Sequence, residues 1–257
     1  MLARPKVRRC GPACRHLQWR GWTARAGTGA GNVGDREGSA VDQGTVLGET
    51  EIHVRTSLDG DGAGHDWWHV DRVRRLARRL AAAEAADPFV VELAVLLHDV
   101  ADWKFHEGDG EVGPRQAREW LAGLAVEPRV IDHVTEIVGG LSFKGARVPR
   151  PMRTIEGRVV QDADRLDAIG AIGVARAFAY GGWKGQPIFD PGLAPILHDS
   201  AAAYWSGTTS TVTHFDEKLL LLKDLMNTDT ARRLAEERHR FLEMFLARFH
   251  AEWDGTA

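Results

Sequence analysis

Residues 87–100 read DPFVVELAVLLHDV. Asp87 followed by Pro88 is a helix start, because an aspartate side chain accepts from the free N–H groups of the first turn and proline loses nothing at a position whose N–H has no partner. From Phe89 to Val100 the residues are almost wholly apolar, so the helix is expected to be buried. At its end stands the doublet His98-Asp99, polar chemistry inside an apolar element.

The segments on either side are also helical. In Val70–Ala86, Val73, Leu76 and Leu80 recur at three- and four-residue steps, with Arg72, Arg74, Arg75, Arg78 and Arg79 on other faces. Further helices are predicted over Pro114–Leu124, from Glu127-Pro128 through Val138 to the stop at Gly139-Gly140, over Val159–Tyr180, over Phe215–Leu225 and over Thr230–Trp253. Strand alternation is scarce. The expected fold is all-α, a compact helical bundle without internal repeats.

The chain has 257 residues, 44% hydrophobic and 27% charged, with a net charge of −3. These are globular values. The near-neutral charge argues against an obligate nucleic-acid binder, and no apolar run is long enough to span a membrane. The charge is uneven. Residues 1–48 carry eight basic and three acidic groups, +5, which leaves −8 for the remainder. Residues 1–45 are Gly-rich without apolar periodicity and read as a tail that is disordered or the product of an over-extended start. Residues 46–257 are the expected domain. The tail holds the two cysteines, Cys10 and Cys14, too few for a disulfide framework, and Gly29-Ala-Gly31-Asn-Val-Gly34, which matches a dinucleotide fingerprint but lacks the required strand and helix around it.

Three places put ligand-type side chains in apolar helices: Gly64–Val70 with His65 and His69, the doublet His98-Asp99, and Val160–Asp167 with Asp162, Asp164 and Asp167. His69 is in register with Val73, Leu76 and Leu80 and points to the core. A buried carboxylate is costly unless paired or metal-bound. Two imidazoles and two carboxylates from three helices form a cage for a divalent cation. Mixed N/O donors suit Mn, Fe, Co, Ni or Zn, whereas Mg favours more oxygen but stays within the range. Asp162, Asp164 and Asp167 can equally cap a helix or pair with Arg158 and Arg165, and the helical wheel does not separate Asp162 from Asp164.

The blocks GHDWWHVDRVRRLA (64–77), LLHDVADWKFHEGD (96–109), SFKGA (142–146) and VVQDADRLDAIGAIGVARAF (159–178), in that order, resemble the HD-domain metal-dependent phosphohydrolases. They are most similar to the small stand-alone bacterial and plant subfamily that includes nucleoside-triphosphate pyrophosphohydrolases. The stretch 214–246 is similar too, so the likeness covers roughly residues 46–253. The resemblance implies His69, His98, Asp99 and Asp164 as metal ligands, the last as the Asp of Ala163-Asp164.

It also implies a catalytic role for Asp102, the acidic third position after the doublet, which would handle the proton of a metal-bound water; the alternative is an exposed carboxylate paired to Lys104. His65, Lys104, Lys144 and Arg165 are the expected substrate-binding residues. His65 can instead cap a helix, and Arg72 either joins the phosphate-binding cations or is a surface arginine. Trp67, Trp68 and Trp103 flank the ligands, to stack on a base or pack in the core. Gly140-Leu141 stands where a few relatives carry a His. The expected substrate is a nucleotide or another small phosphate ester, including a (d)NTP cleaved to monophosphate and pyrophosphate. The alternative is a nucleotide-binding regulator without turnover. A cytoplasmic location is expected, with no membrane or nucleic-acid partner, and a homodimer is compatible with the chain. No Walker A motif is present, so motor ATPase chemistry is not implied.

Overall fold

The computed structural model describes residues 42–58, 66–100, 111–141, 151–197 and 209–257. All of them belong to one compact unit, Ala40–Ala257, and among them there is no strand. The chain is all-α, as the hydrophobic pattern implies.

The central element is α3, Pro88–Leu97, in which every residue from Phe89 to Leu97 is buried. Its start is built as the sequence dictates: Asp87 Oδ1 accepts from the N–H groups of Phe89 (2.9 Å) and Val90 (3.4 Å). Around it pack α1 (Gln43–Ser57), α2 (Trp67–Glu84), α5 (Pro128–Gly140) and α6 (Ile155–Asp167). Helix α4 (Val112–Gly123) forms a hairpin with α5. The rest is α7 (Gly170–Lys184), the short α8 (Thr213–Glu217), a 3₁₀ segment Leu219–Leu225 and the long α9 (Asp229–Trp253).

Three expectations need correction. The first helix begins at Gln43, capped by the Asp42 carboxylate on the Thr45 N–H (2.9 Å), ahead of the domain start expected at residue 46. Its buried stripe is one residue wide, Val46, Thr50 and Val54, too narrow to stand out in a polar stretch. The predicted long helix Val159–Tyr180 is two helices. Between them Gly170 takes φ +78, where a Cβ would come within 3.1 Å of Arg238 Cγ. Arg238 also donates to the Leu166 carbonyl, closing α6 from outside. The predicted helix Phe215–Leu225 is mostly 3₁₀. Leu219 and Leu222 are buried and Leu225 packs on the core, a three-residue step that a helix with three residues per turn keeps on one face. Residues 1–41 of the expected tail, with Cys10, Cys14 and the glycine motif, lie outside the described residues.

Candidate metal centre

Three helix ends meet at the site. His69 is in the first turn of α2, where the Asp66 side chain caps its N–H at 2.9 Å. His98 and Asp99 follow directly on α3. Asp164 is on the last turns of α6. Among the described residues, His69, His98 and Asp99 each place one ligand atom within 4.8 Å of the others. Asp99 Oδ2 lies 3.3 Å from His69 Nε2 and 3.4 Å from His98 Nε2. Asp164 Oδ1 lies 3.5 Å from His69 Nε2 and 4.0 Å from His98 Nε2. The histidine side chains are 1% and 4% exposed, Asp99 13% and Asp164 33%, so the centre has a sealed floor and is open at Asp164.

The hydrogen bonds orient both rings. His69 directs Nδ1 to Asp167 Oδ2 at 2.8 Å, and His98 directs Nδ1 to the Val95 carbonyl at 2.7 Å. Each Nδ1 thus donates outward, and each Nε2 turns its lone pair inward. The two Nε2 atoms are 3.3 Å apart with two carboxylates beside them. Acceptors at that spacing repel unless a cation or a proton stands between them. A divalent metal fits this donor set, two imidazole nitrogens and two carboxylate oxygens. For the metal-free ring, burial and Arg176 push the pKa of His69 down, but hydrogen bonds to Asp167 and Asp99 outweigh them and leave it raised.

Asp162 faces elsewhere. Its oxygens accept from the Asn227 N–H (2.8 Å), Asn227 Nδ2 (2.8 Å), the Thr228 N–H (2.8 Å) and Thr228 Oγ1 (2.9 Å). It ties α6 to the start of α9 and sets the rotation that turns Asp164 to the cluster. Burial pushes the Asp162 carboxyl up against these hydrogen bonds.

Arg165 directs Nη1 to the Leu225 carbonyl, the C-terminal end of the 3₁₀ segment. Burial lowers its pKa, opposed by the charges of Asp162 and Asp164. Arg72 is neither a plain surface residue nor directed at the cluster: its Nε is 2.8 Å from Asp167 Oδ1. Trp67 packs on the core under Arg55, whose Cζ is 4.3 Å from the ring centroid, while Trp68 is 62% exposed. His65, Asp102, Trp103, Lys104 and Lys144 lie outside the described residues.

Asp167, one of the three ligand-type aspartates of its helix, lies beside the ligands rather than among them, and Arg176 is a residue that sequence reasoning misses. Arg176 Nη1 lies 2.8 Å from Asp167 Oδ2. The three-residue step from Asp164 to Asp167 is a usable signal, since it puts both on one helix face. Arg176 gave none, because its helix reaches the site only through the break at Gly170.

The HD domain family matches residues 67–169, the stretch from the start of α2 past the end of α6. The uncharacterized protein YpgQ of Bacillus subtilis (strain 168) is 41% identical over 204 residues, 79% of this chain and 91% of YpgQ. The chain belongs to the HD-domain family. An HD-superfamily hydrolase from Bacillus thuringiensis, solved by crystallography, is similar with a TM-score of 0.64 and 41% identity, covering 82% of this chain and 98% of that one. The crystal structure of B. subtilis YpgQ in complex with ADP gives a TM-score of 0.63 and 34% identity, covering 82% of this chain and all of YpgQ as crystallised, 100%. No helix among the described residues is long and apolar enough to cross a membrane.

Proposed function

We infer that this chain is a metal-dependent phosphohydrolase acting on a nucleotide or another small phosphate ester. One observation carries the reading: two buried imidazoles with both Nδ1 atoms engaged turn their Nε2 atoms to within 3.3 Å of each other and within 4.0 Å of Asp164. His69 Nε2, His98 Nε2, Asp99 and Asp164 would hold the cation. A divalent cation in that position supplies Lewis acidity toward a phosphoryl oxygen and lowers the pKa of a water.

The residues of the chain do the rest. His69 and His98, fixed through Nδ1, keep their lone pairs inward and need no reorganisation during turnover. Asp164, on the open side, is where substrate approaches. Asp102 accepts the proton of the attacking water. Lys104, Lys144, His65 and Arg165 neutralise phosphate charge. The ADP complex of YpgQ supports a nucleotide as substrate class. Within that class, cleavage of a (d)NTP to monophosphate and pyrophosphate is the reading we favour, in a cytoplasmic protein without membrane or nucleic-acid partners, as monomer or homodimer. The domain is taken as residues 42–257, with Asp42 included as the cap of α1.

The ADP complex fits a nucleotide-binding regulator equally well, and turnover separates the two. Phosphate and pyrophosphate are measured across a nucleotide panel with Mn, Co, Ni, Fe, Zn and Mg. Release with at least one pair is expected; none with any pair would favour the regulator.

A further inference from the structure

The ligand set leaves out a buried carboxylate that touches it. The Asp167 side chain is 2% exposed and sits among donors from two helices. From α2 come His69 Nδ1 on Oδ2 at 2.8 Å, Arg72 Nε on Oδ1 at 2.8 Å and Arg72 Nη2 on Oδ2 at 3.1 Å. From α7 comes Arg176 Nη1 on Oδ2 at 2.8 Å. A carboxylate held between two guanidinium groups accepts and does not donate. The proton of a neutral His69 ring must then be on Nδ1, which leaves the lone pair on Nε2, the atom that faces His98, Asp99 and Asp164.

We propose that Asp167 is a positioning residue for the divalent-cation site: it fixes the tautomer and rotation of His69, and Arg72 and Arg176 keep its carboxylate from turning away. The proposal rests on the metal-centre reading above. The two histidines differ in how they are held. His98 is oriented by a main-chain carbonyl, which no side-chain substitution removes. His69 Nδ1 is held by a side chain from another helix. Metal-ligating histidines commonly donate their second N–H in this way, and loss of such a partner typically weakens metal binding about 10–100-fold.

The test compares Asp167→Asn and Asp167→Glu with the wild-type protein by calorimetric titration of Mn²⁺ into metal-stripped full-length chain. Asparagine keeps the size but has one acceptor oxygen for four donors. Glutamate keeps the charge for both arginines, but its longer arm moves the acceptor off Nδ1. A role confined to holding the helices together would lower the melting temperature and leave the affinity of folded protein intact. The expected result is a Kd about 10–100-fold weaker in each variant that folds. Wild-type affinity in either folded variant would overturn the proposal and leave the metal reading standing. A wild-type protein that takes up no Mn²⁺ would overturn the metal reading, and this proposal with it. A readout that needs no variant is the imidazole ¹⁵N spectrum of the Zn-loaded wild type. His69 is expected with its proton on Nδ1, and a proton on Nε2 would contradict the assignment.

Discussion

Helices α2 and α3 share two charge clusters. Midway along them, Glu92 Oε2 accepts from Arg74 Nε at 2.7 Å and Arg78 Nη2 at 2.6 Å, and Arg74 Nη1 reaches Glu51 Oε2 on α1 at 2.7 Å. Burial alone would raise the Glu92 pKa, but the two arginines outweigh it and hold the carboxyl low. Donors and acceptors match. At the adjoining helix ends, the imidazoles of His69 and His98 are as well buried, and their Nε2 atoms converge on carboxylate oxygens of Asp99 and Asp164. Charge and a largely buried carboxylate are common to both clusters. Only the second turns two imidazole nitrogens and two carboxylates toward one point, the donor set that suits a divalent cation, where the first is a structural brace.

The largest predicted effect is at the unbalanced cluster. His98→Ala and Asp99→Ala should each lose most bound metal and activity, read by elemental analysis and phosphate release. Full metal content in both would erase the distinction between the clusters.

Next comes Asp102→Asn, which removes the proposed base and leaves the ligands in place. General acid–base groups contribute about 10²–10⁴ in rate, so kcat should fall at least about 100-fold with metal content unchanged. Asp164→Asn should differ, because it weakens the metal itself and excess Mn²⁺ should restore part of its activity. A wild-type kcat in Asp102→Asn would send the search for the base to His65.

The balanced cluster should respond in stability alone. Arg74→Met leaves Glu92 with Arg78 as its remaining arginine partner and should cost about 1–3 kcal/mol in a denaturant melt, with metal affinity unchanged. Altered metal binding there would mean that the clusters are coupled along α2.

The smallest effect is a pH dependence of stability at His214. Burial pushes His214 down to about 3, with Lys218 adding to the shift. The unfolded chain, titrating near 6.5, then binds more protons than the folded one between these values. Stability is therefore full above about 6.5 and falls as the pH drops toward 3. Melting temperatures from pH 7.5 to 4.5 should decline less steeply in His214→Gln than in the wild type, and parallel curves would contradict this.

How much of this was legible follows from the physics of each element. The core of α3 shows in sequence because burial on all sides leaves an apolar run, and Asp87-Pro88 marks its start by backbone chemistry alone. The doublet His98-Asp99 stands out against that run. Asp164 and Asp162 looked alike in sequence, since the difference between them is made by Asn227 and Thr228, 65 and 66 residues from Asp162 along the chain. Asp167 carried a spacing signal, but its partner Arg176 lies beyond a glycine turn that apolar periodicity runs straight through. Local signals reach as far as one helix; the braces of the site come from its neighbours.

The most direct test of the cation site is titration of Mn²⁺ into metal-stripped wild-type protein, followed by calorimetry and a thermal melt. Saturable uptake of at least about one ion per chain is expected, with a melting temperature that rises with metal concentration, because the ion binds the folded state and not the unfolded one. A fully folded protein that takes up no divalent ion and melts at the same temperature with or without it would mean that His69, His98, Asp99 and Asp164 are satisfied by protons and by one another, and the proposed chemistry would have no centre.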